Sequence, residues 1–228
     1  MILIYFLNFQ GNFKSTFEGS INVLEKCFKD YKPEQVSVAF NGGKDNIAMI
    51  HLVHAYLKKH FPDWNGQLEA LYIEESDPFR EVEEFIEEAK INYNIRLSKI
   101  EGPMKPALAK FLQSRPTIKA MILGTRKGDP GSDSQGFFAP TDGDWPSIMR
   151  INPVLEWNYF DIWAFIRGLS VPYPTLYDRG YTSLGSRSNT QPNPHLICTD
   201  EKGQTVFRPA YELKDGSLER AGRVKSKI

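Results

Sequence analysis

The 228 residues predict an α/β fold: a mostly parallel twisted sheet sandwiched by helices, followed by a loop-rich C-terminal part. Three observations carry that reading. In the first half, short β-branched apolar runs alternate with amphipathic stretches, the pattern of right-handed βαβ crossovers in a parallel sheet covered on both faces. In the second half, Pro, Gly, Asp and Ser concentrate in residues 127–145 and 170–193, and long irregular segments inside a compact domain are commonly functional. The composition, 41% hydrophobic and 25% charged, is that of a soluble globular chain long enough to bury most of its surface.

Each element has its own justification. Residues 17–28 set Phe17, Ile21, Leu24 and Phe28 at helical spacing behind Ser15 and Thr16 as caps, and Pro33 ends the unit. VSVAF at 36–40 reads as the first strand and NGGKD at 41–45 as a turn. Residues 47–56 read as a helix with Ile47, Ile50, His51, His54 and Tyr56 on or beside its stripe. LEALYI at 68–73 is a second strand. A long helix over 77–93 follows, with Phe79, Val82, Phe85, Ile86 and Ala89 inward. Residues 95–100 read as a third strand, 104–112 as a helix, and AMILG at 120–124 as a fourth strand. Residues 158–169 form a helix expected to bury Phe160, Ile162, Trp163, Phe165 and Ile166. The whole of 1–228 reads as one domain, with a nucleotide-type core over 1–125 and site-building loops over 126–228.

Charge and cysteine content exclude several function classes. Twenty-eight Lys and Arg balance 28 Asp and Glu, so the excess of positive charge used by duplex nucleic-acid binders and polybasic membrane proteins is missing. Any bound anion must be gripped locally. Cys27 and Cys198 lie far apart and outside any zinc-like spacing, and read as reduced thiols of a cytoplasmic protein, with Cys27 buried on a helix. The apolar run at 1–7 is too short to span a membrane and lacks signal-peptide features. Residues 74–88 carry eight acidic side chains and one Arg, read as a solvated face, with Glu74 and Glu75 at a strand end where an adenosine could sit. His51, His54 and His60 share a helix without a metal-binding pattern and read as structural or solvent-facing.

The turn Asn41-Gly42-Gly43-Lys44-Asp45 falls where an open parallel sheet presents its ligand crevice. Glycines allow close backbone approach, while helix N–H groups and the macrodipole favour an anion. Lys44 adds a point charge. The spacing matches neither the ordinary P-loop nor the dinucleotide fingerprint. FNGGKD after an apolar strand resembles the pyrophosphate loop, usually Ser-Gly-Gly-x-Asp-Ser, of enzymes that cleave ATP between its α and β phosphates. Asn41 in place of the leading Ser is what eukaryotic FAD synthases carry, and Asn46 stands where a small Ser or Cys is more usual.

Further segments sharpen the resemblance: Gly124-Thr125-Arg126-Lys127-Gly128-Asp129-Pro130, Pro140-Thr141-Asp142-Gly143-Asp144-Trp145-Pro146, Met149-Arg150-Ile151-Asn152-Pro153, the 177–185 run, and Leu218-Glu219-Arg220-Ala221-Gly222-Arg223. In order, from roughly residue 30 onward, they resemble the eukaryotic FAD synthase (FMN adenylyltransferase) family of the phosphoadenylyl-sulfate-reductase-like superfamily. The resemblance implies a Rossmann-like fold of the adenine nucleotide alpha hydrolase type. It implies an ATP site at Phe40, Asn41, Gly42, Gly43, Lys44, Asp45, Tyr72, Ile73, Gly124 and Arg126, and a flavin site at Asp129, Asp142, Trp145, Arg150, Arg220 and Arg223. Asn41, Lys44, Asp45 and Arg220 are the expected catalytic residues. Mg²⁺ is expected on the phosphates, with Asp45 as a candidate ligand. The additional N-terminal domain that animal enzymes often carry is not read in these residues, as it is not in the fungal enzymes.

The expected partners are ATP, FMN, FAD and pyrophosphate, with apo-flavoproteins as candidate FAD recipients and neither nucleic acid nor membrane involved. Competing readings are a phosphoadenylyl-sulfate reductase, which needs a nucleophilic cysteine this C-terminus lacks, another enzyme of the superfamily acting on sulfate or tRNA, and a non-catalytic nucleotide or flavin sensor.

Overall fold

The structure, a computed structural model, describes residues 12–132 and 135–224. The apolar run at 1–7 lies outside them. Six strands form one sheet in the order β3-β2-β1-β4-β6-β5, with β1 Val36–Ala39, β2 Leu68–Glu74, β3 Ile95–Glu101, β4 Ala120–Ile122, β5 Phe138–Pro140 and β6 Met149–Ile151. All neighbours are parallel except β5, which runs antiparallel to β6. A separate hairpin pairs β7 (Ile197–Thr199) with β8 (Thr205–Phe207). The helices are α1 Asn12–Asp30, α2 Lys44–His60, α3 Arg80–Asn92, α4 Met104–Ser114 and α5 Tyr159–Gly168.

Strand alternation divides the interior between the two faces of the sheet. Val36 and Val38 of β1, Leu68, Ala70 and Tyr72 of β2, and Ala120 and Ile122 of β4 join the larger core, built with α1, α2, α3 and α5. Ala39, Leu71, Ile73 and Met121 point the other way, into a smaller core under α4 with Ala107, Leu108 and Phe111. One helix therefore covers one face and four cover the other. Among the described residues, no helix is long and apolar enough to cross a membrane.

Three expectations change. Residues 138–140 and 149–151, read as loop, supply β5 and β6 and extend the sheet past residue 125. α2 begins at Lys44, so the second half of the NGGKD segment is already helix. Phe160 is 47% exposed. Tyr159, Ile162, Trp163 and Ile166 of α5 share the buried stripe at i, i+3, i+4 and i+7, and Phe160 is out of phase with it. The start of α5 is set by Asn158, whose side chain accepts from the amides of Phe160 (2.8 Å) and Asp161 (3.0 Å), while Asp161 accepts in return from the Asn158 amide.

His51 and His54 are held within the fold: Nδ1 of His51 faces the Tyr93 hydroxyl at 3.2 Å and Nδ1 of His54 the Tyr93 carbonyl at 3.2 Å, while His60 is exposed. Cys27 is buried in α1, and burial pushes its thiol up to about 12.

Candidate active site

β1 connects to β2 on one side of it, and β4 lies on its other side, so the sheet reverses direction at β1 and β4. At such a switch point the loops leaving the two strands diverge and open a crevice at their carboxyl ends. A cleft of about 1420 Å³ lies there, lined by the turn after β1, the end of β2, the segment after β4, the 141–150 segment and the C-terminal turn. Single-ligand pockets run to about 1000 Å³ at most, so this one has room for two substrates.

The turn after β1 is braced by its own side chains. Oδ1 of Asn41 accepts from the Gly43 amide and from Nδ2 of Asn46, both at 3.0 Å, so Asn41 and Asn46 close the loop on itself. Gly42 has φ +72°, and a Cβ there would meet Val82 and Ile86 of α3 at 3.1 Å. It faces the core rather than the cleft. The Lys44 amide donates to the Tyr177 hydroxyl at 2.7 Å and is thereby satisfied, while Lys44, Asp45 and Asn46 all border the cleft from the first turn of α2. Burial, then the charge of Asp45, pushes the Tyr177 hydroxyl far up, so it stays neutral. Gly124, beyond β4, packs against this turn so closely that a Cβ would lie 3.0 Å from backbone atoms of Asp45 and Asn46.

Beneath the turn lies a buried ionic cluster. Nε of Arg126 is 2.8 Å from Asp45, and its terminal nitrogen donates to both oxygens of Glu219 at 2.6 and 2.8 Å. Nζ of Lys44 lies 3.1 Å from Asp45 and 3.5 Å from Glu219. Asp129 accepts from the Arg126 amide at 2.8 Å, and its second oxygen is 3.7 Å from the guanidinium. Burial alone would lower the Arg126 pKa, but Asp45 and Glu219 outweigh it and raise the pKa. Burial raises the Asp129 carboxyl, with Asp45 and Glu219 adding to the rise and Arg126 opposing it. Lys44 and Arg126 are 2% and 5% exposed, so neither projects a free charge into the cleft. Both oxygens of Asp45 face cations, which makes it a poor magnesium ligand. No group of three or more potential metal-holding side chains occurs among the described residues.

The predicted site residues separate accordingly. Phe40, Asn41, Gly43, Lys44, Asp45, Ile73, Gly124, Asp129, Asp142, Trp145, Arg150 and Arg220 all line the cleft. Gly42, Tyr72, Arg126 and Arg223 do not. Tyr72 points to the opposite face of β2, where its hydroxyl donates to Glu83 at 2.6 Å. Ile73 has an open edge: the last β1–β2 pair is Ala39↔Leu71, and alternation aims the Ile73 backbone to the side where β1 has ended. Arg150 donates to the Pro140 carbonyl at 2.8 Å and lies 3.5 Å from Asp142. Lys105 of α4 reaches across to Asp144, tying that wall together. Arg223 turns back to donate to the Leu184 carbonyl at 2.6 Å, and burial, then Arg220, lowers its pKa. Arg220 is exposed and has no carboxylate partner among the described residues.

Glu219, Tyr177 and Asn46 are site residues to which the sequence reading gave no role. Glu219 and Tyr177 take partners 175 and 133 positions away, and no local signal in the sequence announces them.

The chain also resembles known proteins in sequence and in fold. The phosphoadenosine phosphosulfate reductase domain family matches residues 35–192. A probable FAD synthase of Schizosaccharomyces pombe is 39% identical over 208 residues, 90% of this chain and 77% of that protein. A probable FAD synthase of Caenorhabditis elegans is 37% identical over 89% of this chain, which spans only 39% of that longer protein. The crystal structure of Candida glabrata FMN adenylyltransferase in complex with FMN and the ATP analogue AMPCPP superimposes with a TM-score of 0.89 at 26% identity, covering 97% of this chain and 93% of that one. With the glycine turn, the switch-point cleft and these relatives in agreement, the chain belongs to the phosphoadenosine phosphosulfate reductase domain family, among its FAD synthases.

Proposed function

We infer that the protein is an FMN adenylyltransferase, which transfers the adenylyl group of ATP to FMN and gives FAD and pyrophosphate. The observation that carries this is the single cleft, large enough for both substrates, that joins the glycine turn to Asp142, Trp145, Arg150 and Arg220. The relatives add the identity of the substrates: two are named probable FAD synthases, and the Candida glabrata enzyme was crystallised with FMN and an ATP analogue.

The chemistry asks little of a general base. The second pKa of a phosphate monoester is about 6, so at neutral pH the FMN phosphate is already mostly the nucleophilic dianion. What is required is to hold two anions in line and to stabilise charge on the departing pyrophosphate. On this reading the triphosphate lies at the N-terminus of α2, where the Asp45 and Asn46 amides and the helix dipole meet it. Adenine lies against the open backbone edge of Ile73, within the apolar wall of Leu71 and Met121. The flavin ring lies toward Trp145 and Asp142. Arg220 supplies positive charge between the phosphates from the exposed cleft wall. Lys44, Asp45 and Arg126 shape the turn from below and do not grip phosphate directly. Magnesium travels with the triphosphate as part of the substrate.

The reductase alternative fails on its nucleophile, because neither Cys27 nor Cys198 lines the cleft. We further propose that the enzyme works in the cytoplasm and supplies apo-flavoproteins. Incubation with FMN, ATP and Mg²⁺, followed by chromatography for FAD and a pyrophosphate assay, tests the reaction; absence of both products overturns it. Arg220→Ala and Asp142→Ala remove exposed groups, so each is expected to shift stability by no more than about 0.5 kcal/mol while sharply lowering turnover.

A further inference from the structure

We propose that Glu219 is a positioning residue for adenylyl transfer: by clamping Arg126 and Lys44 it fixes where Arg220 stands in the cleft. The inference rests on the adenylyltransferase reading above. Glu219 is 8% exposed, and its neighbour Arg220 is exposed on the cleft wall, so the chain turns from the protein interior to the substrate space across a single peptide.

The carboxylate is held at both ends of the site. It accepts two hydrogen bonds from Arg126, on the segment after β4, and lies 3.5 Å from Lys44, the first residue of α2. The Glu219 carbonyl accepts from Oγ1 of Thr182 at 2.6 Å, and Nδ2 of Asn193 donates both to that hydroxyl at 2.9 Å and to the Leu218 carbonyl at 2.8 Å. Downstream, the Arg223 amide returns to the Arg220 carbonyl at 2.8 Å, and Gln191 donates to Gly222 at 2.9 Å. The backbone on either side of Arg220 is thus pinned. Its register against the glycine turn, however, depends on the Glu219 side chain, because that carboxylate bridges both the C-terminal turn and the first turn of α2.

A buried ion pair is weak evidence for stability, and fixing one register is among its better-attested uses. Reactions that depend on alignment lose about 10²-fold in rate for a displacement of about 1 Å. Glu219→Ala is therefore expected to lower kcat about 100-fold while the KM for ATP stays within about threefold, since the Asp45 and Asn46 amides remain. Glu219→Gln keeps the shape and one acceptor oxygen, and is expected to lose about tenfold.

The deciding measurement is a double-mutant cycle in FAD formation at saturating ATP and FMN, using the parent, Glu219→Ala, Arg220→Ala and the pair, with circular dichroism on each. If Glu219 acts through Arg220, the double variant is no slower than Arg220→Ala by more than about threefold, because neighbours that act as a unit are not additive. Losses that multiply, or a Glu219→Ala enzyme within threefold of the parent, overturn the proposal. If Glu219→Ala fails to fold, the same cycle run with Glu219→Gln decides between those outcomes. A parent that makes no FAD refutes the adenylyltransferase reading instead, and is distinguishable from either result.

Discussion

Replacing Arg126 by Met is the most direct probe of the buried cluster. In the parent, Lys44 and Arg126 face the three carboxylates of Asp45, Asp129 and Glu219. The variant keeps much of the side-chain volume but leaves Lys44 alone among them, and the Arg126 side chain is only 6% exposed, so water cannot fully compensate. Removing one partner of a buried pair costs about 3–5 kcal/mol. For a domain of this size the urea m-value is about 2–3 kcal/mol/M, so the unfolding midpoint is expected to drop by about 1–2.5 M with m unchanged.

The pH dependence gives a second handle on the same variant. Without the guanidinium, desolvated carboxylates have folded-state pKa values above their unfolded values near 4, so the folded variant binds more protons than the unfolded chain. Its stability deficit against the parent must therefore shrink as pH falls from 8 toward 5. Urea titrations followed by circular dichroism and tryptophan fluorescence at several pH values measure both effects. A loss below about 1 kcal/mol, or a deficit that does not change with pH, would show that the cluster is not the buried charge network described here.

Three other outcomes are expected. Tyr177→Phe strands the Lys44 amide in a buried site, and should cost about 1–3 kcal/mol in denaturant unfolding. His51 is held near 4 by burial and, secondarily, His54. The unfolded state therefore takes up a proton first, and stability present above about pH 6.5 is lost as pH falls toward 4, by on the order of 3 kcal/mol. A His51→Leu protein whose pH–stability slope over that window matches the parent would contradict this. Gly124→Ala pushes a methyl group against the α2 backbone, and should cost about 1–3 kcal/mol and raise the KM for ATP more than that for FMN, as steady-state kinetics with each substrate varied would show.

The sheet core was readable because its signals are local. VSVAF and LEALYI alternate between the two cores residue by residue, and α3 and α4 follow 3.6-residue stripes. β5 and β6 escaped because three-residue strands in a Pro- and Gly-rich segment carry no periodicity, and what makes them strands is pairing with β4 and with each other. Phe160 is hydrophobic but out of phase with the buried stripe, so phase and not hydrophobicity decides its exposure. Tyr72 and Ile73 are neighbours in sequence, but adjacent strand residues face opposite sides of the sheet, so Ile73 lines the cleft and Tyr72 does not.

The site was half legible for a similar reason. Residues placed by a turn or a loop wall, such as Asn41, Asp142 and Arg150, line the cleft. Lys44 and Arg126 have the chemistry of phosphate ligands, yet Glu219 arrives from the far end of the chain and claims both. Nothing near Lys44 or Arg126 in the sequence announces that partner.

The separation of 175 positions between Lys44 and Glu219 also orders events during folding. Closing a long loop adds little to its equilibrium cost, since each doubling of length adds only about 0.6 kcal/mol, but non-local contacts form slowly. The parallel core from β1 to β4 can assemble before residues 218–223 have docked against it. During that interval Lys44 and Arg126 have only Asp45 and Asp129 as counter-charges, and the cleft lacks the wall that carries Arg220. Competence for catalysis therefore waits on the docking of this turn, after the secondary structure of the parallel core is in place.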